Sequence, residues 1–215
     1  MKSKAMVLST LLLASASAFA EESKTYAVTI TNITAGQTFT PVLAATHSSD
    51  IAFFELGQPA IEELGILAES GNIGPLDDLL ATLPGLVQHT ATNGALLGPG
   101  ESATIEVEVS GRFNRLSFAA MLIPTHDTFV ALDSMPLPKR AATTFVRAYD
   151  AGTETNDELC ANIPGPHCMG AGLSPMDDGE GFVHVANGIH GIGDLAPEMF
   201  DWRNPVATVT VRRVR

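Results

Sequence analysis

From Ser102 to Val109 the chain alternates without a break, with Ile105, Val107 and Val109 on one side of an extended backbone and Thr104, Glu106 and Glu108 on the other. Period-two alternation describes a strand with one face in a core and one in water, and a helix would scatter these residues around its circumference. Such a strand needs partners, because two strands alone barely hold together in water. The sequence supplies them. Tyr26 to Thr31 alternates in the same way, and Thr34-Ala-Gly-Gln37 then turns the chain into Thr38 to Ala45, which is expected to pair with it. Arg115 to Ile123 is nearly all apolar, as a strand covered on both faces would be. Asp127–Leu132, Thr143–Tyr149 and Val206–Val214 complete a set of at least seven strand candidates. The expected fold is all-β, an antiparallel β-sandwich. The arginines of the last strand, Arg212, Arg213 and Arg215, should keep their charged heads in water.

One stretch breaks the pattern. Ile61, Leu64, Ile66 and Leu67 fall near helical spacing, Glu62 and Glu63 occupy the first turn, where the helix dipole favours acids, and Gly71 stands where the helix should stop. A second short helix is expected over Leu76–Leu83, so the sandwich carries a short helical insertion in its N-terminal third. Gly152 to Asn204 is rich in Gly, Pro and acids and reads as long ordered loops.

Residues 1–20 read as a secretory signal: Lys2 and Lys4 precede the apolar run Met6–Leu13, and Ala18-Phe19-Ala20 forms a cleavage pattern before Glu21. That run is too short to span about 30 Å of hydrocarbon. Residues 21–215 then form one domain, exported to the periplasm or secreted. Two cysteines in an oxidising compartment, Cys160 and Cys168 with seven residues between them, are expected to pair as a local disulfide. A loop of that size stabilises by about 2.5 kcal/mol. The alternative, a metal site of the two thiols and His167, lacks a C-x-x-C pair.

The chain holds 24 acidic against 12 basic side chains, a net charge of −12. That balance opposes nucleic acid, which binds through Lys and Arg, and suits a protein that collects cations. Two acidic groups stand at strand ends: Asp127 to Asp133, and Asp150-Ala-Gly-Thr-Glu154 leading on to Asp157 and Glu158. Asp127 and Asp150 would project from one rim, with Gly152 allowing the sharp turn that returns Glu154 toward them. Gathered hard oxygens on loops are what Ca²⁺ takes, six to eight at about 2.4 Å. Solvated turn-forming acids are the plain alternative.

The motifs Tyr26-Ala-Val-Thr-Ile-Thr-Asn-Ile-Thr-Ala-Gly-Gln37, Ala45-Thr-His47, Ala68-Glu-Ser-Gly71, Pro124-Thr-His-Asp-Thr-Phe129 and Tyr149-Asp-Ala-Gly-Thr-Glu154 resemble those of the spondin N-terminal domain family, in particular its single-domain bacterial members. The resemblance spans most of residues 25–214. It implies a β-sandwich similar to calcium-dependent membrane-binding modules, with Ca²⁺ at one rim, and assigns the metal ligands to Asp127, Asp150 and Glu154. Glu154 departs from the family's D-A-G-T-D by one methylene. Asp133 and Asp157 are additional candidates. Adhesion follows only loosely, since the animal members are matrix proteins with thrombospondin repeats and this sequence carries none. The expected partner is an extracellular or envelope protein or polysaccharide.

Other groups leave alternatives open. His184 and His190, with Asp194, offer a zinc pair and hence a metal-dependent hydrolase; against this, the glycines around His190 suit a tight turn, with Ile189 and Ile192 in the core and the histidines on nearby backbone. His47 and His126, each after a threonine, suit hydrogen-bonding roles. Trp202 should pack under the last strand, with Asp201 and Arg203 paired. Asn32-Ile-Thr34 matches the glycosylation pattern. No nucleophile elbow, zinc-protease helix, P-loop or dinucleotide fingerprint is present, so no enzyme is expected. A third reading makes any metal purely structural and puts function on a face of the sandwich.

Overall fold

A computed structural model describes residues 23–174 and 179–214. The signal segment and Arg215 lie outside the described residues. The strands in chain order are β1 (Lys24–Asn32), β2 (Thr38–Phe39), β3 (Leu43–His47), β4 (Val87–Thr92), β5 (Ser102–Val109), β6 (Arg115–Ile123), β7 (Thr128–Pro136), β8 (Ala141–Asp150), β9 (His184–Val185) and β10 (Ala207–Arg213). All pair antiparallel, in the order β4-β3-β6-β7-β8-β10-β1-β5, with β2 beside β6 and β9 beside β8. The two ends of this path meet. Ser110 Oγ donates to Gln88 Oε1 (2.9 Å), Glu108 N–H to His89 Nδ1 (3.3 Å) and Thr46 Oγ1 to the Glu108 carbonyl (2.7 Å). The sheet is thus folded over and nearly closed, a sandwich verging on a barrel.

The alternation in β5 places Ile105, Val107 and Val109 inside, against Val28 and Ile30 of β1, Val209 and Val211 of β10 and Phe118 and Leu122 of β6. β6 is buried on both faces, as its composition requires: Leu116, Phe118, Ala120 and Leu122 face this interior, while Ala119 faces a second cluster outside the sheet. Two helices cover that cluster, α1 (Glu62–Ser70) and α2 (Gly74–Ala81), burying Leu64, Leu67, Leu76 and Leu80 against Leu43, Phe129 and Ala131. Each such leucine contributes roughly 1.5–3 kcal/mol. α1 ends at Gly71, whose φ of 70° is left-handed and whose N–H reaches the Leu67 carbonyl.

Three expectations are corrected. β1 does not pair with Thr38–Ala45: its edges are taken by β5 and β10, and that segment joins β6 and β4 instead. The buried Asn32 amide bonds the Gln37 and Leu97 carbonyls and its Oδ1 takes Thr34, which steers the chain away from β1 and leaves no free amide for a glycan. Strand β4 was not expected, since Val87-Gln-His-Thr-Ala-Thr92 has no clear alternation. Ile192 is not in the core but 68% exposed, while Ile189 is buried.

From Gly152 to Asn204 the described chain holds only a 3-10 turn (Cys160–Asn162), β9 and a one-turn helix, α3 (Pro197–Phe200). The Cys160–Cys168 disulfide forms. Trp202 is buried beside the last strand, and Asp201 pairs with Arg203.

Candidate functional site

The β6–β7 turn and the end of β8 lie side by side, because Thr128 is in register with Asp150 and the Ala151 N–H donates to the Asp127 carbonyl at 3.1 Å. Asp127, Asp150 and Glu154 therefore sit on one rim, with side chains 0%, 3% and 1% exposed. Gly152 makes the return possible. Its φ is +68°, and a Cβ there would stand 2.4 Å from the Phe182 carbonyl oxygen.

The two oxygens of Asp127 differ. Oδ2 accepts the N–H groups of Thr153 (2.7 Å) and Glu154 (3.1 Å) and the Thr153 hydroxyl (3.3 Å), whereas Oδ1 is buried with no hydrogen-bond partner. Asp150 accepts the Gly152 N–H (2.8 Å) and the Asn156 amide (2.9 Å), and its Oδ1 lies 3.4 Å from His184 Nε2. Glu154 Oε2 lies 3.8 Å from His126 Nδ1. Burial, then the Asp150 charge, pushes the Asp127 carboxyl up to about 8, against the donated Thr153 and Glu154 N–H groups. Burial also raises Asp150, opposed first by His184. Carboxylates gathered out of water raise one another's proton affinity, and a cation or a proton relieves the strain.

Of the additional candidates, Asp157 joins the rim, its Oδ1 standing 3.1 Å from His126 Nε2. Asp133 does not: it lies farther along β7, where Oδ1 accepts the Phe53 N–H (2.8 Å) and the Ser117 hydroxyl (3.0 Å). That hydroxyl also meets His47 Nε2 at 2.8 Å. Ser117, His47 and an aspartate thus touch, but Ser117 and His47 are fully buried and the carboxylate contacts the serine rather than the imidazole, so the group is a core network without a substrate path.

The residues of the zinc pair separate onto different partners. His184 stands against Asp150 and Glu180, His190 Nδ1 lies 3.7 Å from Glu158, and Asp194 accepts the Cys160 N–H. Glu158, 3% exposed, holds the 190–192 turn by accepting three successive N–H groups at 2.5, 2.7 and 3.0 Å. Cys160 and Cys168 lie near His167, but the sulfurs are oxidised to a disulfide and offer no thiolate. Sequence reasoning placed Glu158 in the second acidic group without giving it a role, and missed Asn156 and Glu180. Glu180 had no local signal, being an acid in a glycine-rich loop. A cavity of about 60 Å³ beside Asp150 is lined by His126, Asn156, Glu158, Glu180 and His190. Exposed apolar side chains lie on the same segment, Phe182 and Ile192 in its loops and Val185 in β9.

Among the described residues no helix is long and apolar enough to cross a membrane. The family model described as Spondin_N matches residues 22–159, a span that includes Asp127, Asp150 and Glu154 and stops short of Glu180 and His184. No curated protein matches the chain.

Proposed function

The chain belongs to the spondin N-terminal domain family, whose members are non-enzymatic extracellular binding modules, and from that premise we propose that its rim binds Ca²⁺ through Asp127, Asp150 and Glu154 and presents the surrounding loops to an envelope or extracellular partner. The buried Oδ1 of Asp127 carries the reading. Its sister oxygen is saturated by three donors, and a fully buried carboxylate oxygen without a donor costs several kcal/mol unless a cation or proton sits against it. The donor set of carboxylate oxygens suits a hard cation. Glu154 keeps the charge and adds reach. Adhesion, through a protein or polysaccharide partner, is the biological role this supports, and the disulfide fits an exported protein.

Calcium that binds only the folded state raises stability by about 2.7 kcal/mol at a hundredfold excess over its Kd. Thermal melts in millimolar CaCl2 and in chelator test this: the calcium melt should lie higher, and D127N should lose the difference. Identical melts would overturn the proposal. One observation favours a purely structural ion over one that bridges to a ligand, namely that Asp127 and Glu154 are almost wholly buried. A pull-down from native envelopes with and without calcium, repeated with D150A, separates the two. A structural ion predicts that the D150A molecules that remain folded keep their partner.

A further inference from the structure

We propose that His184 Nε2, Asp150 Oδ1 and Glu180 Oε2 form a second cation site, one that takes a borderline transition ion of the Zn²⁺ class. It shares Asp150 with the calcium reading and none of the other ligands, and neither reading requires the other.

The argument begins at the far nitrogen of the ring. β9 pairs with the end of β8, His184 opposite Asp150, and His184 Nδ1 lies 3.1 Å from the Val185 carbonyl oxygen. A carbonyl only accepts, so Nδ1 carries a hydrogen and Nε2 is the ring atom left to meet a cation. That nitrogen is buried and has no hydrogen-bond partner. It faces Asp150 Oδ1 at 3.4 Å and Glu180 Oε2 at 3.7 Å, and the ligand atoms of the three residues lie within 4.8 Å of one another. Two carboxylate oxygens converging on one imidazole nitrogen call for positive charge among them, which a bound cation supplies.

The spacing selects the particle. Ligands at about 2.0–2.1 Å on a tetrahedral ion are separated by about 3.4 Å, and imidazole nitrogen with carboxylate oxygen is a ligand set that Zn²⁺ accepts and Ca²⁺ does not. Outer partners are in place. The Val185 carbonyl fixes the tautomer, and Gly152 N–H and the Asn156 amide orient Asp150. Three protein ligands leave a fourth position, and Asp150 and Glu180 both line the adjoining cavity, where a water or a donor side chain of a bound partner completes the shell.

Calorimetric titration of ZnCl2 into the metal-stripped, tag-free protein should show one equivalent bound. CoCl2 should give the visible bands of a four-coordinate ion. H184A should weaken zinc by more than the roughly 10–100-fold that losing an outer partner costs, while H167A and H190A leave it unchanged. D127N should abolish calcium stabilisation and keep zinc binding, so the two sites fail separately. If H184A does not fold, E180Q, at a more exposed position, should weaken zinc at least tenfold. No zinc bound by the wild type, or equal affinity in folded H184A or E180Q, would overturn the proposal.

Discussion

Two buried titratable residues set opposite limbs of the stability profile. Asp127 keeps its proton up to about pH 8 in the folded protein and loses it near 4 when unfolded, so between those values the native state holds more protons. Without metal, stability is therefore fully present below about pH 4 and declines as pH rises toward 8. A chelated sample should melt lower at pH 9 than at pH 5, with D127N flattening the decline and millimolar calcium reversing it. His47 runs the other way. Burial lowers its basicity, and its ring contacts the Ser48 carbonyl and the Ser117 hydroxyl. Its contribution is present above about pH 6.5 and is lost as pH falls through the depressed folded value. H47Q should remove part of the acid limb in the same melts. Asp127 and Asp150 could be read from the sequence because the first stands where a strand signal begins and the second where one ends. Their shared rim needed the pairing of β7 with β8, which lies 22 residues apart in the chain at Thr128 and Asp150.

The rim depends on a single turn at the scale of elements. Gly152→Ala puts a methyl group against the Phe182 backbone at a left-handed φ, and should cost about 1–3 kcal/mol in denaturant unfolding while weakening calcium, because Thr153 and Glu154 N–H groups lose their aim at Asp127. Leu67→Ala, on the buried face of α1, should cost roughly 2–5 kcal/mol in the same unfolding measurement. Unchanged stability in either variant would contradict the packing described. Strands β5 and β6 were readable because burial on one face or on both leaves a direct trace in composition. β4 left none, its side chains being half buried at the edge that closes the fold. The expected pairing of β1 with the next segment failed because turn signals show that a chain reverses and do not show which edge is free.

For the whole molecule, the nearly closed order of strands carries stability and the loops carry the site. The disulfide closes a short ring within one loop, so C160S/C168S should lower stability by about 2.5 kcal/mol or less and leave one cooperative transition, as followed by calorimetry and far-ultraviolet circular dichroism. Loss of the folded baseline would show instead that the 152–204 loops hold the sandwich together. Sequence alone determined that the protein is an antiparallel β fold with a helical insertion, that its cysteines pair, and that acids stand at two strand ends, because periodicity, capping and spacing act over a few residues. Tertiary structure decided which strands neighbour one another, that Asp133 leaves the rim while Asp157 joins it, and that Glu180 and His184 meet Asp150. Those placements follow from strand register and loop return, which bring residues tens of positions apart to within a few ångströms and leave no local pattern behind.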